Sequence, residues 1–139
     1  MLVANEAGLA SSAPSPRARI AAMALAGDDP VIMLTAPIPA TRKLPGARGH
    51  AIDQVDRYEV NEAFAVGAAA RGCTSTGADP AKVNVNGGAI ALGHPLGCTG
   101  AKLHDHAAAR ARAHRAAATG CRRCARAAAS ANATLIERA

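Results

Sequence analysis

Two stretches hold side chains able to move protons or bind metal. His94 stands between Gly93 and Pro95 in GHPLGCTGAKL. The glycine permits backbone angles that other residues avoid, and the proline fixes its own φ at about −65°, so the imidazole sits on a stiff bend. Rigid placement is what a general base requires, although an isolated histidine in such a bend more often serves only its own turn. The second stretch is CRRC at 121–124, with His104, His106 and His114 upstream of it. One CxxC with loosely spaced histidines among arginines is a weak match to a zinc site.

These side chains need elements to position them. MLVANEAGL (1–9) reads as the end of a helix, stopped by the turn cluster SSAPSP. ARIAAMALAG (18–27) is apolar enough for a buried strand, closed by GDDP. In VIMLTAPIPAT, Pro37 and Pro39 forbid a regular ladder and predict an extended, turning segment. Thr41 or an earlier threonine then caps a short helix through RKL, which Pro45 and Gly46 interrupt. DQVDRYEV (53–60) alternates as a short strand, and NEAFAVGAAA reads as a helix with Asn61 as N-cap and Glu62 in its first turn. ADPAKVNVN adds a turn and a short strand, and GGAIALGHPLGCTGAKL gives a glycine loop, His94 and a helix start. Strand, loop with functional side chains, then helix, twice over, is α/β architecture with chemistry at strand ends. No internal repeat is visible.

At 139 residues the chain has room for one compact domain. Tyr58 and Phe64 are the only aromatics, so the core must rest on aliphatic side chains. The formal charge of +6 is not spread evenly. Residues 104–130 hold six arginines against Asp105 alone, leaving 10 basic and 9 acidic side chains elsewhere. Four cysteines without a secretory-type leader point to reduced thiols and a cytoplasmic setting. No apolar run approaches the ~18 residues of a membrane span.

VNEAFA (60–65) and NGGAIALGHPLGCTGAKL (86–103), with LTAPIPATRK (34–43) and ANATLIERA (131–139), occur in the order found in the thiolase family, the acyl-CoA acetyltransferases. The chain resembles the C-terminal half of the thiolase fold, a mixed sheet with helices packed on it. On this reading residues 1–33 are a remnant of the N-terminal domain and 34–139 form the C-terminal domain. The resemblance implies exchange or cleavage of CoA thioesters through a cysteine acyl-enzyme, without metal or redox cofactor, in homodimers or tetramers. It implies catalytic roles for His94, as activator of the thiol, and for Asn61, which holds a water in an oxyanion hole. Ala63 and Phe64 would line the acyl pocket. The family's nucleophilic cysteine belongs to its N-terminal half, so His94 is expected to have no thiolate to activate within these 139 residues, and the polypeptide alone is expected to be inactive. Cys98, where the family also tolerates alanine or serine, is expected to pack. The family's second catalytic cysteine sits in a CxG-type motif that this chain lacks.

Residues 104–130 contain 12 alanines, six arginines and three histidines, with no Leu, Ile, Val, Met or aromatic. A helix of this composition is expected to lie in water, since each absent large side chain forgoes ~1.5–3 kcal/mol of burial. The fold is therefore expected to be incomplete or disordered after residue 103. Translation out of frame accounts for the composition. Read from the second base of each codon, HDHAAARA permits Met-Thr-Thr-Leu-Leu-His-Ala. Read from the third, TGCRRCARAAA permits Tyr-Gly-Leu-Gln-Thr-Met-Cys-Glu-Gly-Gly-Gly, which restores the absent motif and makes Cys124 accidental. The rival reading is a non-catalytic basic module whose arginines bind nucleic acid through phosphate.

Overall fold

The computed structural model describes residues 1–11, 15–32, 34–46, 52–64, 75–113, 118–122 and 130–139. In chain order its elements are α1 (Glu6–Ser11), β1 (Ala18–Gly27), α2 (Pro37–Gly46), a 3-10 turn (Ile52–Gln54), β2 (Arg57–Val60), a second 3-10 turn (Pro80–Lys82), α3 (Ala89–Leu92), α4 (Thr99–Ala113), β3 (Ala118–Arg122) and β4 (Ser130–Arg138). The strands form one mixed sheet in the order β1-β4-β3-β2. β4 runs antiparallel to both β1 and β3, whereas β2 and β3 are parallel. The pairs Val60↔Cys121, Arg122↔Asn132 and Gly27↔Ser130 bring the C-terminal ends of β2, β3 and β1 to one rim of the sheet. In sheets with parallel strands, that rim is where ligands bind.

Alanine makes this core possible. Ala26, Ala36, Ala40, Ala131 and Ala133 are buried together with Leu44 and Leu135, where α2 packs on β1 and β4. Small side chains let helix and sheet approach closely, at the cost of about 0.8 kcal/mol of burial for each methylene a larger residue would add. A second cluster gathers Val55, Tyr58 and Ala78, with the Tyr58 hydroxyl donating to the Ile52 carbonyl at 2.5 Å.

Several expectations change. β1 is the expected strand, but only one face is covered: Ala22, Ala24 and Ala26 turn inward while Met23 and Leu25 stand 74% and 76% exposed. α2 starts at Pro37, earlier than the prolines suggested, because both fall in the first turn, where the missing N–H has no intrahelical partner to lose. Asp53 lies in a 3-10 turn and β2 is confined to Arg57–Val60. Asn61 and Glu62 are irregular and Ala63 and Phe64 form a bend where a helix start is expected, and residues 65–70 of that expected helix lie outside the described residues.

Among the described residues, regular structure is present after residue 103. α4 continues to Ala113, and β3 and β4 supply the inner strands of the sheet. Ala107 is 1% exposed against Ile136, and His106 places Nδ1 3.6 Å from Oε2 of Glu59, a carboxylate buried on β2. An alanine surface suffices here because the helix sits close to the sheet. β1 and α2 share one core. Among the described residues no helix is long and apolar enough to cross a membrane.

Candidate active site

The site grows from the end of β2. Asn84, at φ +48°, is the only non-glycine among the described residues with a positive φ, a conformation asparagine tolerates better than most side chains. Its backbone N–H donates to the Tyr58 carbonyl at 2.8 Å. Its side chain clasps Val60 from both sides: Oδ1 accepts from the Val60 N–H at 2.7 Å and Nδ2 donates to the Val60 carbonyl at 2.9 Å. The strand end is thereby fixed at the residue before Asn61. Asn61 is 5% exposed, and its Oδ1 is buried with no hydrogen-bond partner among the described residues. An orphaned buried acceptor is costly, about 1–3 kcal/mol, and marks a place where a water or ligand donor is expected.

The next residue reaches across to the second motif. Glu62 accepts from Asn84 Nδ2 at 3.0 Å through Oε1 and from the Ile90 N–H at 2.9 Å through Oε2. This carboxylate meets the first turn of α3, where a negative charge is favoured. Gly88 makes the approach possible, since a Cβ there would land on the Glu62 carboxylate.

α3 ends at Gly93, whose φ of +79° only glycine adopts readily, and the chain turns into His94. The bend is held at three consecutive residues. Lys102 Nζ donates to the Gly93 carbonyl at 2.7 Å, His94 Nδ1 lies 2.8 Å from Thr99 Oγ1, and the Pro95 carbonyl accepts from the Cys98 and Thr99 N–H groups and from the Thr99 hydroxyl. The Thr99 hydroxyl has one hydrogen, given to Pro95, so it accepts from His94 Nδ1–H. Nε2 of the neutral ring is then the basic nitrogen. The ring itself is exposed.

Of the four residues expected at the site, Asn61 and His94 lie on loops that Glu62 ties together. Ala63 is half-buried and Phe64 is 64% exposed. Cys98, expected to pack, is exposed at the start of α4. Cys124 and His114 lie outside the described residues, so the zinc reading has no geometry to rest on. The register Val60↔Cys121 brings Asn61 beside the C-terminal end of β3. Sequence reading missed Asn84, Gly88, Thr99 and Lys102. A polar residue able to take a left-handed turn, three residues ahead of a glycine pair, is the one signal that pointed to Asn84.

The mixed sheet thus carries a buried asparagine after β2, on a loop that Glu62 bonds to the one leading into a clamped histidine. Residues 14–138 match the description "Thiolase, C-terminal domain", and the chain belongs to the thiolase family. It is 46% identical to a steroid 3-ketoacyl-CoA thiolase of Mycobacterium tuberculosis, over 99% of this chain and 33% of that protein. It is 48% identical to an acetyl-CoA acetyltransferase of Paracoccus denitrificans, over 74% of this chain and 26% of that one. The crystal structure of human mitochondrial 3-ketoacyl-CoA thiolase superposes with a TM-score of 0.81 at 37% identity, covering 90% of this chain and 31% of the other. A thiolase of Ascaris suum in complex with coenzyme A gives a TM-score of 0.78 at 30% identity, over 90% and 32%. The chain thus spans about a quarter to a third of the length of these relatives.

Proposed function

We propose that this chain supplies the histidine and asparagine half of a thiolase active site acting on acyl-CoA thioesters. His94 accepts the proton of an attacking thiol at Nε2, because Nδ1 is committed to Thr99. A nearby imidazole also lowers the pKa of such a thiol. Asn61 holds a water through its side chain, and this water and His94 stabilise the oxygen of the thioester enolate. Ala63 and Phe64 contact the acyl group. Coenzyme A and acyl-CoA are the proposed ligands, in a cytoplasmic homo-oligomer without a metal or redox cofactor.

The observation that carries this reading is the buried, unpartnered Oδ1 of Asn61 on a loop bonded to the one that leads into His94. Within the 139 residues no cysteine is assigned by motif as nucleophile, so the isolated polypeptide is expected to show no thiolysis. We also propose that residues 104–130 are read out of frame. The reading is supported by the composition of this segment and by the CxG-type motif that the shifted frame restores.

A chimera tests the function. The Paracoccus acetyltransferase, with its own C-terminal third exchanged for this chain in the restored frame, should cleave acetoacetyl-CoA. His94→Ala in that chimera should lower kcat by about 10²–10⁴. An active chimera indifferent to His94→Ala and Asn61→Ala would sink the proposal.

A further inference from the structure

Glu62 is the residue on which the two loops meet. Both of its carboxylate oxygens are used, one by Asn84 Nδ2 and one by the Ile90 N–H. Asn84 itself is fully engaged, with its Oδ1 and one Nδ2 hydrogen on Val60 and the other Nδ2 hydrogen on Glu62. Asn61 therefore lies between two anchored neighbours, Val60 and Glu62, which set the direction of its buried carboxamide. On the far side Ile90 belongs to α3, and the Gly93 N–H closes that helix on the Ala89 carbonyl at 2.8 Å immediately before His94. A displacement of α3 is thus passed to the imidazole through one turn of hydrogen-bonded backbone.

We propose that Glu62, held by Asn84, is a positioning residue that fixes the Asn61 carboxamide and the His94 ring at one relative placement. The inference rests on the proposal that these two side chains form a single site. Glu62 does not touch the reacting atoms. Charge-assisted bonds to a backbone N–H and a carboxamide are stronger than neutral ones, and a carboxylate in this place holds both at once. Glu62→Gln keeps the shape but offers a single acceptor oxygen, so the variant side chain serves either Asn84 Nδ2 or the Ile90 N–H. Gly88 gives independent access to the same contact, because an added Cβ displaces the carboxylate without removing its charge.

The test uses the 139-residue chain, labelled for NMR, in three forms: parent, Glu62→Gln and Gly88→Ala. Amide exchange of Ile90 reads the contact itself, the His94 ring signals and the Asn61 side-chain signals read the site, and Tm reads the fold. Both variants should exchange the Ile90 amide at least about tenfold faster. Both should also move the His94 ring signals and the Asn61 side-chain signals, with Gly88→Ala showing that the change follows position and not loss of charge. Asn84→Asp, which sets a second carboxylate against Glu62, should give the same pattern and serves if either variant fails to fold. Faster Ile90 exchange with unmoved His94 and Asn61 signals would reduce Glu62 to a local cap and overturn the inference, as would unchanged Ile90 exchange. Failure of the parent chain to respond to acetyl-CoA would instead count against the single-site reading, so the two outcomes separate.

Discussion

His94 and Thr99 are joined by a 2.8 Å contact between Nδ1 and Oγ1, and the Thr99 hydroxyl donates onward to the Pro95 carbonyl at 3.0 Å. The pair sets both the position and the tautomer of the ring. Because Thr99 is 3% exposed, the relay is shielded from water on its protein side. In Thr99→Val the relay is gone, leaving Nδ1 without its acceptor. The ¹⁵N signals of His94 above its titration should report Nδ1–H in the parent and lose that preference in the variant, with a stability cost of about 1 kcal/mol. Identical ring signals in the two proteins would remove Thr99 from the account.

The helix after Leu103 gives a second expectation. Leu103 and Ala107 are 3% and 1% exposed and one turn apart, so they mark the face of α4 that meets the sheet. The shifted reading frame writes Leu at 107 and Met at 104. Exchanging residues 104–108 for Met-Thr-Thr-Leu-Leu should therefore raise Tm, since a leucine-sized side chain at an apolar contact contributes about 1.5–3 kcal/mol of burial. A drop in Tm from overpacking against Ile136 would indicate that alanine at 107 is the residue this helix was built around.

Much of this fold was legible because the relevant signals are local. The β1 and β2 strands, the GHP bend and the α4 start follow from alternation, proline and glycine. What escaped depends on tertiary distance. The solvated helix expected from the composition of 104–130 is instead packed at Ala107, because closeness of backbones, and not side-chain size, decides whether an alanine is buried. The clasp on the strand end was not legible, because Asn84 lies 24 positions from Val60 in the chain. Glu62 was visible as an acid beside Asn61, but its partner, the first turn of α3, lies 28 positions away in the chain.

Met23 and Leu25 point out of the uncovered face of β1 at 74% and 76% exposure. Large apolar side chains side by side on an edge strand promote association. The double variant Met23→Lys, Leu25→Lys should reduce the self-associated fraction in light scattering while leaving the far-UV spectrum unchanged. Equal association in parent and variant would show that another surface is responsible.

The link between β1 and α2 carries an acid-sensitive contact. Asp28 is held below the ordinary carboxylate range first by the hydrogen bond from Thr35 and then by the Asp29 N–H. A lowered pKa in the folded state means that this stabilisation is complete above the ordinary value of 3.8 and is lost as pH falls through the folded value. Thr35→Val should lower Tm at pH 7 and narrow its difference from the parent progressively below about pH 4. A difference that is constant from pH 7 to pH 2 would rule the contact out.

The proposed function requires Asn61 and His94 to face one thioester. The decisive measurement is a titration of the labelled chain with acetyl-CoA, following the Asn61 side-chain amide and the His94 ring together. Both sets of signals should shift along a common saturation curve, and His94→Ala should weaken the response at Asn61. Shifts at only one of the two, or separate curves for each, would show that they do not share a ligand.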